Sequence, residues 1–290
     1  MSSNTTPIIG GHVSAAGGVI NTLENAKKIG AEAIQFFGSS PQMWYTKVPD
    51  RTEAEAFREA YAKSGIKAAY LHAAYLVNLA SSNPDFYKKS IKSLLAHLTI
   101  AEMLGIDGLI FHIGSSKGMS REKALSQEIQ GMREVLRESP GKALLVMENT
   151  AGGGEKVGAN IEEMAHLFKG VDSPRVKICF DTAHAFEAGL ITEYAPASIK
   201  KLFDAWDKYV GLEYIVAIHA NDSKTAAGSH HDRHENIGEG HIGLQGFKNL
   251  SKEKRLWDKA WLLEVPGFTG EGPDKKNIDI LKSCFTHDNE

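Results

Sequence analysis

The sequence predicts a single α/β barrel of eight parallel strands, and three observations carry that prediction. Eight short runs rich in β-branched and aromatic residues recur along the chain, with helical patterns between them. Most of these runs are near-continuously apolar rather than alternating, which is how parallel strands read when helices cover the sheet. The length, 290 residues without a linker, a low-complexity segment or a shift in composition, suits one (β/α)8 TIM barrel. A doubly wound open sheet would give the same alternation. However, no G-x-G-x-x-G turn follows the first run; Gly10-Gly11-His12 and Ala16-Gly17-Gly18 are the nearest sequences.

In order, the strand candidates are Ile8–Ser14, Ala33–Phe37, Ala68–Ala73, Gly108–Ile113, Ala143–Glu148, Val176–Asp181, Tyr214–His219 and Trp261–Val265. The helical segments carry start signals. Thr52-x-x-Glu55 and Asn160-x-x-Glu163 read as capping boxes, and Pro84 and Pro196 suit a first helical turn. In the segment from 84 to 104, Ile91, Leu94, Leu95 and Leu98 recur at helical spacing, with Lys88, Lys89 and Lys92 on the solvated face. The barrel is expected over 8–285, with 1–7 a frayed N-terminal segment and 286–290 a C-terminal tail.

Composition sets limits on function. A hydrophobic share of 42% and a charged share of 24% are ordinary for a globular chain with a sizeable core. Two cysteines provide no disulfide framework, so a reducing compartment is expected, and Cys179 in its apolar run reads as a small buried hydrophobe. MSSNTTPII has no basic and apolar leader pattern, and no run of about 18 apolar residues predicts a membrane span. Cytoplasmic localisation follows as an expectation. The formal charge of -3 argues against holding nucleic acid by a broad basic surface, but leaves room for phosphate binding through metal ions.

The ionisable residues collect where the runs end: His72, His112, Glu148, Asp181 with His184, His219 and Glu264. Asp232 and His234 follow the seventh run in HDRHENIGEG. The C-terminal strand ends of a barrel ring one mouth, so these nine residues should converge. Taken singly, each has an ordinary structural explanation. Together, five imidazoles and four carboxylates at the ends of apolar strands point to metal, which offsets the cost of burying charge. Nine ligands exceed one tetrahedral zinc and suit two or three ions with bridging carboxylates. The imidazoles argue against calcium or magnesium, and clustered divalent ions are suited to phosphate-ester hydrolysis. His97, His166 and His287 need only a structural role. His12 could support the site or touch substrate, and His230, His231 and His241 are left unassigned.

GGHVSAAGG, ENTAGGG, DTAHAFEAG, HANDSK, DRHENIGEGHIG and LLEVPG resemble, in order, the endonuclease IV family of apurinic/apyrimidinic endonucleases, from about residue 10 to 267. The resemblance implies a TIM barrel holding three zinc ions, with Mn2+ or Fe2+ also suited to some positions. It implies that His72, His112 and Glu148 hold the first ion, and that Glu148 bridges to a second held by Asp181, His219 and Glu264. His184, Asp232 and His234 would hold the third. The implied reaction is attack by a hydroxide, shared between the first two ions, on the phosphorus 5′ to an abasic nucleotide. The third ion would stabilise the departing 3′ oxygen. Glu148 and Glu264 are the catalytic carboxylates in this reading, with Glu264 positioning or deprotonating the water.

The implied partner is duplex DNA bearing abasic sites, bound by a monomer and, through that DNA, associated with the nucleoid of a bacterial-type cell. Tyr75 and Leu76 match the family's inserting pair. Gln42 stands where the family often has an arginine wedge, and FHIG and HAAY replace FHPG and HDSY. Arg233, Lys117 and Lys224 are candidate phosphate contacts, and Gly238 and Gly240 would let the loop approach DNA closely. Two competing readings remain: a xylose isomerase-like sugar isomerase or epimerase on the same barrel, and a damage-binding protein with structural zinc.

Overall fold

The computed structural model describes residues 6–40, 42–44 and 47–286. Its strands, in chain order, are β1 (Ile8–His12), β2 (Ala33–Phe37), β3 (Ala68–His72), β4 (Gly108–His112), β5 (Leu144–Glu148), β6 (Val176–Asp181), β7 (Ile215–His219), β8 (Asp222–Ser223), β9 (His234–Glu235) and β10 (Ala260–Leu263). β8 and β9 form a small antiparallel hairpin, and the other eight close into a barrel in the order β1-β10-β7-β6-β5-β4-β3-β2. Every pair in the barrel is parallel. The expected barrel is therefore the observed one. The strands stop a residue or two short of several apolar runs, and the β8–β9 hairpin has no hydrophobic signal to announce it. Of the termini expected at 1–7 and 286–290, residues 1–5 and 287–290, with His287, lie outside the described residues.

Strand alternation places the site. The barrel interior is filled by Tyr70, Ile110, Val146, Cys179, Ala217 and Leu262, packed together and buried. Side chains two residues apart share a face. The next inward positions are therefore His72, His112, Glu148, Asp181, His219 and Glu264. Pairing sets them at matching heights, with His112 opposite Glu148 and Asp181 opposite His219. Between β6 and β7 the register slips by one at Val216, which restores the inward phase of His219. Gly10 is required low in the barrel, since a Cβ there would lie 1.7 Å from the Ala33 carbonyl oxygen.

The outward residues, among them Phe36, Leu71, Phe111, Met147, Phe180 and Trp261, pack under the helices in a second core. The helices are α1 (Asn21–Ile29), α2 (Arg51–Ser64), α3 (Pro84–Leu104), α4 (Arg121–Glu138), α5 (Ile161–Val171), α6 (Thr182–Glu187), α7 (Pro196–Tyr209), α8 (Gly243–Leu250) and α9 (Lys275–Phe285). Pro84 and Pro196 open α3 and α7, as expected. The capping box of α2 is Asp50 with Glu53, not Thr52 with Glu55: Asp50 is extended and accepts from the Glu53 N–H, so the helix starts two residues earlier than the threonine signal implied. Asn160 caps α5 by accepting from the Glu163 N–H, but the Glu163 carboxylate is held by Arg121 at 2.6 and 2.7 Å instead of closing a box. Among the described residues, no helix is long and apolar enough to cross a membrane.

Candidate metal centre

The nine strand-end and loop residues meet in one cluster with Glu148 at its centre. Glu148 Oε2 lies 3.3 Å from His72 Nε2 and 3.2 Å from His112 Nε2. Its Oε1 lies 3.0 Å from His219 Nδ1 and 3.1 Å from His184 Nδ1. Glu264 Oε2 is 3.2 Å from His219 Nδ1, and Asp181 Oδ2 is 3.7 Å from His234 Nε2. Asp232 Oδ1 is 3.2 Å from His184 Nε2 and 3.8 Å from His234 Nε2. Asp232 and His234 thus face the same cluster from the loop that leads into β9. His231, immediately before them, is exposed.

The donor set fits divalent metal. Four groups bring their ligand atoms within 4.8 Å of one another: His72, His112 and Glu148; Glu148, Asp181, His219 and Glu264; Asp181, His184 and His234; and His184, Glu187 and Asp232. The first two coincide with the sets the resemblance implied. The third set is divided, with Asp181 and Glu187 each joining part of it. Among the described residues, His184 Nε2, His234 Nε2 and Glu187 Oε2 are buried yet make no hydrogen bond. Ring nitrogens and a carboxylate oxygen so placed, side by side with further carboxylates, can be satisfied by a cation. Nitrogen and carboxylate oxygen without thiolate suit zinc, manganese or iron.

Electrostatics hold the cluster ready in charged form. Burial alone would push the Glu148 carboxyl up, but His219 and His112 outweigh it and hold it well below its ordinary range. For Glu264, burial is likewise overcome by His219 and His72, which bring it down to about 2. Burial opposes a charge on His72 and His184. The hydrogen bond to Glu148 nevertheless raises His72, and Asp181 and Asp232 lift His184 well above the ordinary imidazole. His12 does the reverse: burial brings it to about 4, a neutral ring 4.4 Å from Phe37.

These shifts fix the sign of a pH dependence. The raised histidines stabilise the metal-free fold below their ordinary 6.5, and that contribution is lost as pH rises through their folded values. Glu264 contributes above 4.5 and its share is lost as pH falls toward about 2. A bound ion must displace the imidazole protons. The rise in Tm produced by zinc is therefore expected to be small near pH 5, roughly, and to grow toward about pH 8. Thermal melts with chelator and with zinc across that range would measure it, and a rise that shrinks with pH contradicts the assignment.

Uncharged residues that the sequence did not single out set the ligands' orientation. Gln35, buried in β2, donates from Nε2 to Glu264 Oε1 at 2.6 Å, and its Oε1 lies 2.8 Å from His219 Nε2. Asn149 brackets Asp181, donating to its carbonyl and accepting from its N–H. Asn221 donates to Asp181 Oδ2 at 2.7 Å and accepts from the Glu264 N–H at 2.7 Å. Lys156 pairs with Asp232 at 2.9 Å. The available signal was a lone polar residue within or just after an apolar run, which Gln35, Asn149 and Asn221 all show.

Around the metal groups the mouth is open. Tyr75 is 61% exposed and Leu76 38%, and the Tyr75 ring lies 5.9 Å from that of His112. A cavity of about 510 Å³ runs from Tyr75 past His184 and His234 to Glu264 and Arg233. A second, of about 1000 Å³, is lined by Lys156, Lys224, His230 and Arg233. Lys117 and Gln42 are exposed on the loops after β4 and β2. The ring nitrogen Nδ1 of His230 is 3.1 Å from the Ala151 carbonyl, while His97 is buried in α3 against the Ser93 carbonyl at 2.7 Å. The N–H groups of Gly238 and Gly240 donate to Asp222; Gly238 has a φ of +87°, and a Cβ at Gly240 would meet the Ser223 carbonyl oxygen and Asp222, so the turn itself requires both glycines.

A closed parallel barrel with His and carboxylate side chains that could hold metal at its C-terminal mouth defines a TIM barrel with a candidate metal site, and residues 23–284 match the family described as xylose isomerase-like TIM barrel. A probable endonuclease 4 of Aquifex aeolicus is 38% identical over 281 residues, covering 96% of this chain and 98% of that protein. The crystal structure of endonuclease IV from Thermus thermophilus superposes with a TM-score of 0.84 at 36% identity, covering 96% of this chain and 98% of that one. A D-tagatose 3-epimerase-like protein shares the fold with a TM-score of 0.68 at 18% identity, over 95% of this chain and 96% of its own. The chain belongs to the endonuclease IV family.

Proposed function

We propose that this protein is a DNA-repair endonuclease that hydrolyses the phosphodiester 5′ to an abasic site. It would leave a 3′-hydroxyl and a 5′-deoxyribose phosphate, and would also remove blocking groups from 3′ ends. The observation that carries the reading is the convergence of nine ligand-type side chains in one cluster centred on Glu148, beside a cavity lined by Lys156, Lys224 and Arg233. The relatives named endonuclease 4 support it. A sugar isomerase on this barrel would leave the His184, Asp232 and His234 group without employment.

Three zinc ions are proposed, held by His72, His112 and Glu148; by Glu148, Asp181, His219 and Glu264; and by His184, Asp232 and His234. When bound, such ions supply Lewis acidity toward a phosphate and make water acidic enough to attack near neutral pH. Glu148 presents one oxygen to each side of the cluster, which suits a bridge. Glu264 is fixed by Gln35 on one oxygen, and its side chain keeps 14% exposure toward the cavity, where it can orient a water and take its proton. Arg233, Lys156, Lys224 and Lys117 offer cations to the DNA backbone. Tyr75 and Leu76 can fill the space of the missing base, and an unstacked abasic nucleotide costs less to extrude. Gln42 offers no charge there, so lesion bending rests on Tyr75 and Leu76. One chain supplies the whole ligand set, so a monomer suffices.

Incision of a duplex carrying one synthetic abasic site, before and after chelation and with analysis of the 3′ end, tests the reading. A single cut leaving a 3′-hydroxyl, lost on chelation and restored by zinc, is expected. Binding without incision in zinc-replete buffer, or sugar epimerisation with at most two ions, would overturn it.

A further inference from the structure

We propose that Glu187 is a fourth protein ligand to the ion held by His184, Asp232 and His234, an inference that rests on the metal-centre reading above. Glu187 ends α6, three residues after His184, so both side chains leave the helix on the same face. Its side chain is completely buried. One oxygen is fully committed: Oε1 accepts from Ser223 Oγ at 2.7 Å, from the Arg233 N–H at 3.2 Å and from Thr225 Oγ1 at 3.4 Å. The other oxygen, Oε2, is buried with no hydrogen-bonding partner. A Glu187 oxygen shares a 4.8 Å group with ligand atoms of His184 and Asp232.

A clamp on the loop that carries Asp232 and His234 explains Oε1 and leaves Oε2 unexplained. A buried oxygen left in this state is costly, and a cation removes the cost. His184 Nε2 and His234 Nε2 are likewise buried without a hydrogen bond, and the two histidines and Glu187 belong to the two overlapping groups, so one cation would account for all three atoms. With two imidazoles and two carboxylates the ion would be held more firmly, and zinc can still expand to five-coordinate to take a substrate oxygen. The Ser223, Thr225 and Arg233 donors would hold the ligating carboxylate at its angle, as surrounding hydrogen bonds do for metal ligands generally.

The test counts zinc per chain on intact protein dialysed against graded chelator, for wild type, Glu187→Gln, His184→Ala and the double variant. Glutamine keeps an oxygen for Ser223 and Arg233, so the loop clamp survives while the anionic ligand is lost. Wild type is expected to retain three ions. Glu187→Gln should release one of them at a chelator concentration at least about tenfold lower, with the other two unmoved. His184→Ala should release the same ion, and adding Glu187→Gln to it should change nothing further. In cobalt-substituted protein, one subset of the visible bands should shift in Glu187→Gln. Retention of all three ions at wild-type chelator levels, with unchanged cobalt bands, would reduce Glu187 to a clamp and overturn the proposal. If wild type never holds more than two ions and His184→Ala leaves the count unchanged, the metal-centre reading falls and this proposal with it.

Discussion

A Glu148→Gln variant is expected to lose its hold on two ions at once and to incise an abasic duplex about 10³-fold more slowly or worse, at or beyond the top of the range for removing one electrostatic stabiliser. The reason is the position of this carboxylate. It is fully buried, and each of its oxygens lies between two imidazoles: Oε2 between those of β3 and β4, Oε1 between those of β7 and α6. Glutamine preserves the volume but turns one oxygen into a donor that faces ring nitrogens, and it removes the negative charge that two ions would share. It also removes the hydrogen bond that raises His72 and part of the counter-charge facing His184, and an uncompensated buried charge is strongly destabilising. Glu148→Asp should do little better, since the shorter side chain cannot reach both His112 and His219. Metal analysis alongside single-turnover incision checks the expectation. Full metal content with activity within about tenfold of wild type would contradict it, because a bridging ligand acts in the reaction itself rather than through uniform binding.

The barrel was legible because strands and ligands obey one rule. A residue such as Ile110 or Val146 fills the barrel, and the residue two places on, His112 or Glu148, must share its face. An apolar run that ends on a histidine or an acid therefore already says where that group points. What the sequence could not supply was contact between uncharged partners. AIQFF shows Gln35 as a lone polar residue in an apolar run but does not say that it joins Glu264 to His219, because glutamine is also tolerated in a strand for no reason beyond packing. The grouping of nine ligands into three ions came from family resemblance, and distances bring together the first two groups while dividing the third. Glu187 was passed over because an acid at the end of a helix is ordinarily solvated; only the fold buries it. The cap of α2 shows the opposite failure. Two overlapping box patterns exist, and the backbone of Asp50, not the motif, decides between them.

Asp222→Ala is expected to lower the Tm by about 5–10 °C, which corresponds to about 3 kcal/mol in a chain of this size. Asp222 lies in β8, completely buried, and accepts from the backbone N–H groups of Ser223, Gly238, Gly240, Ile242 and Gly243. It thereby gathers the segment after His234 into a turn that starts α8. The fit is close: a Cβ at Gly240 would stand 2.4 Å from the Ser223 carbonyl oxygen and 2.5 Å from Asp222 Oδ1. Alanine would strand those donors away from water, and each buried donor left without a partner is costly. Asp222→Asn is the sharper test. Both oxygens accept from backbone N–H groups, so an amide must aim its NH2 at one set of donors, and asparagine should be no better tolerated than alanine despite its near-identical shape. The damage should reach the metal groups, because the same segment continues from His234 and Asp232. Chelator resistance of the ion assigned to them should fall in both variants while the ions around Glu148 stay in place. Melts within about 2 °C of wild type would instead mean that the His241 N–H to Ser223 carbonyl bond and the Ile237 N–H to Asn277 bond suffice to hold the loop.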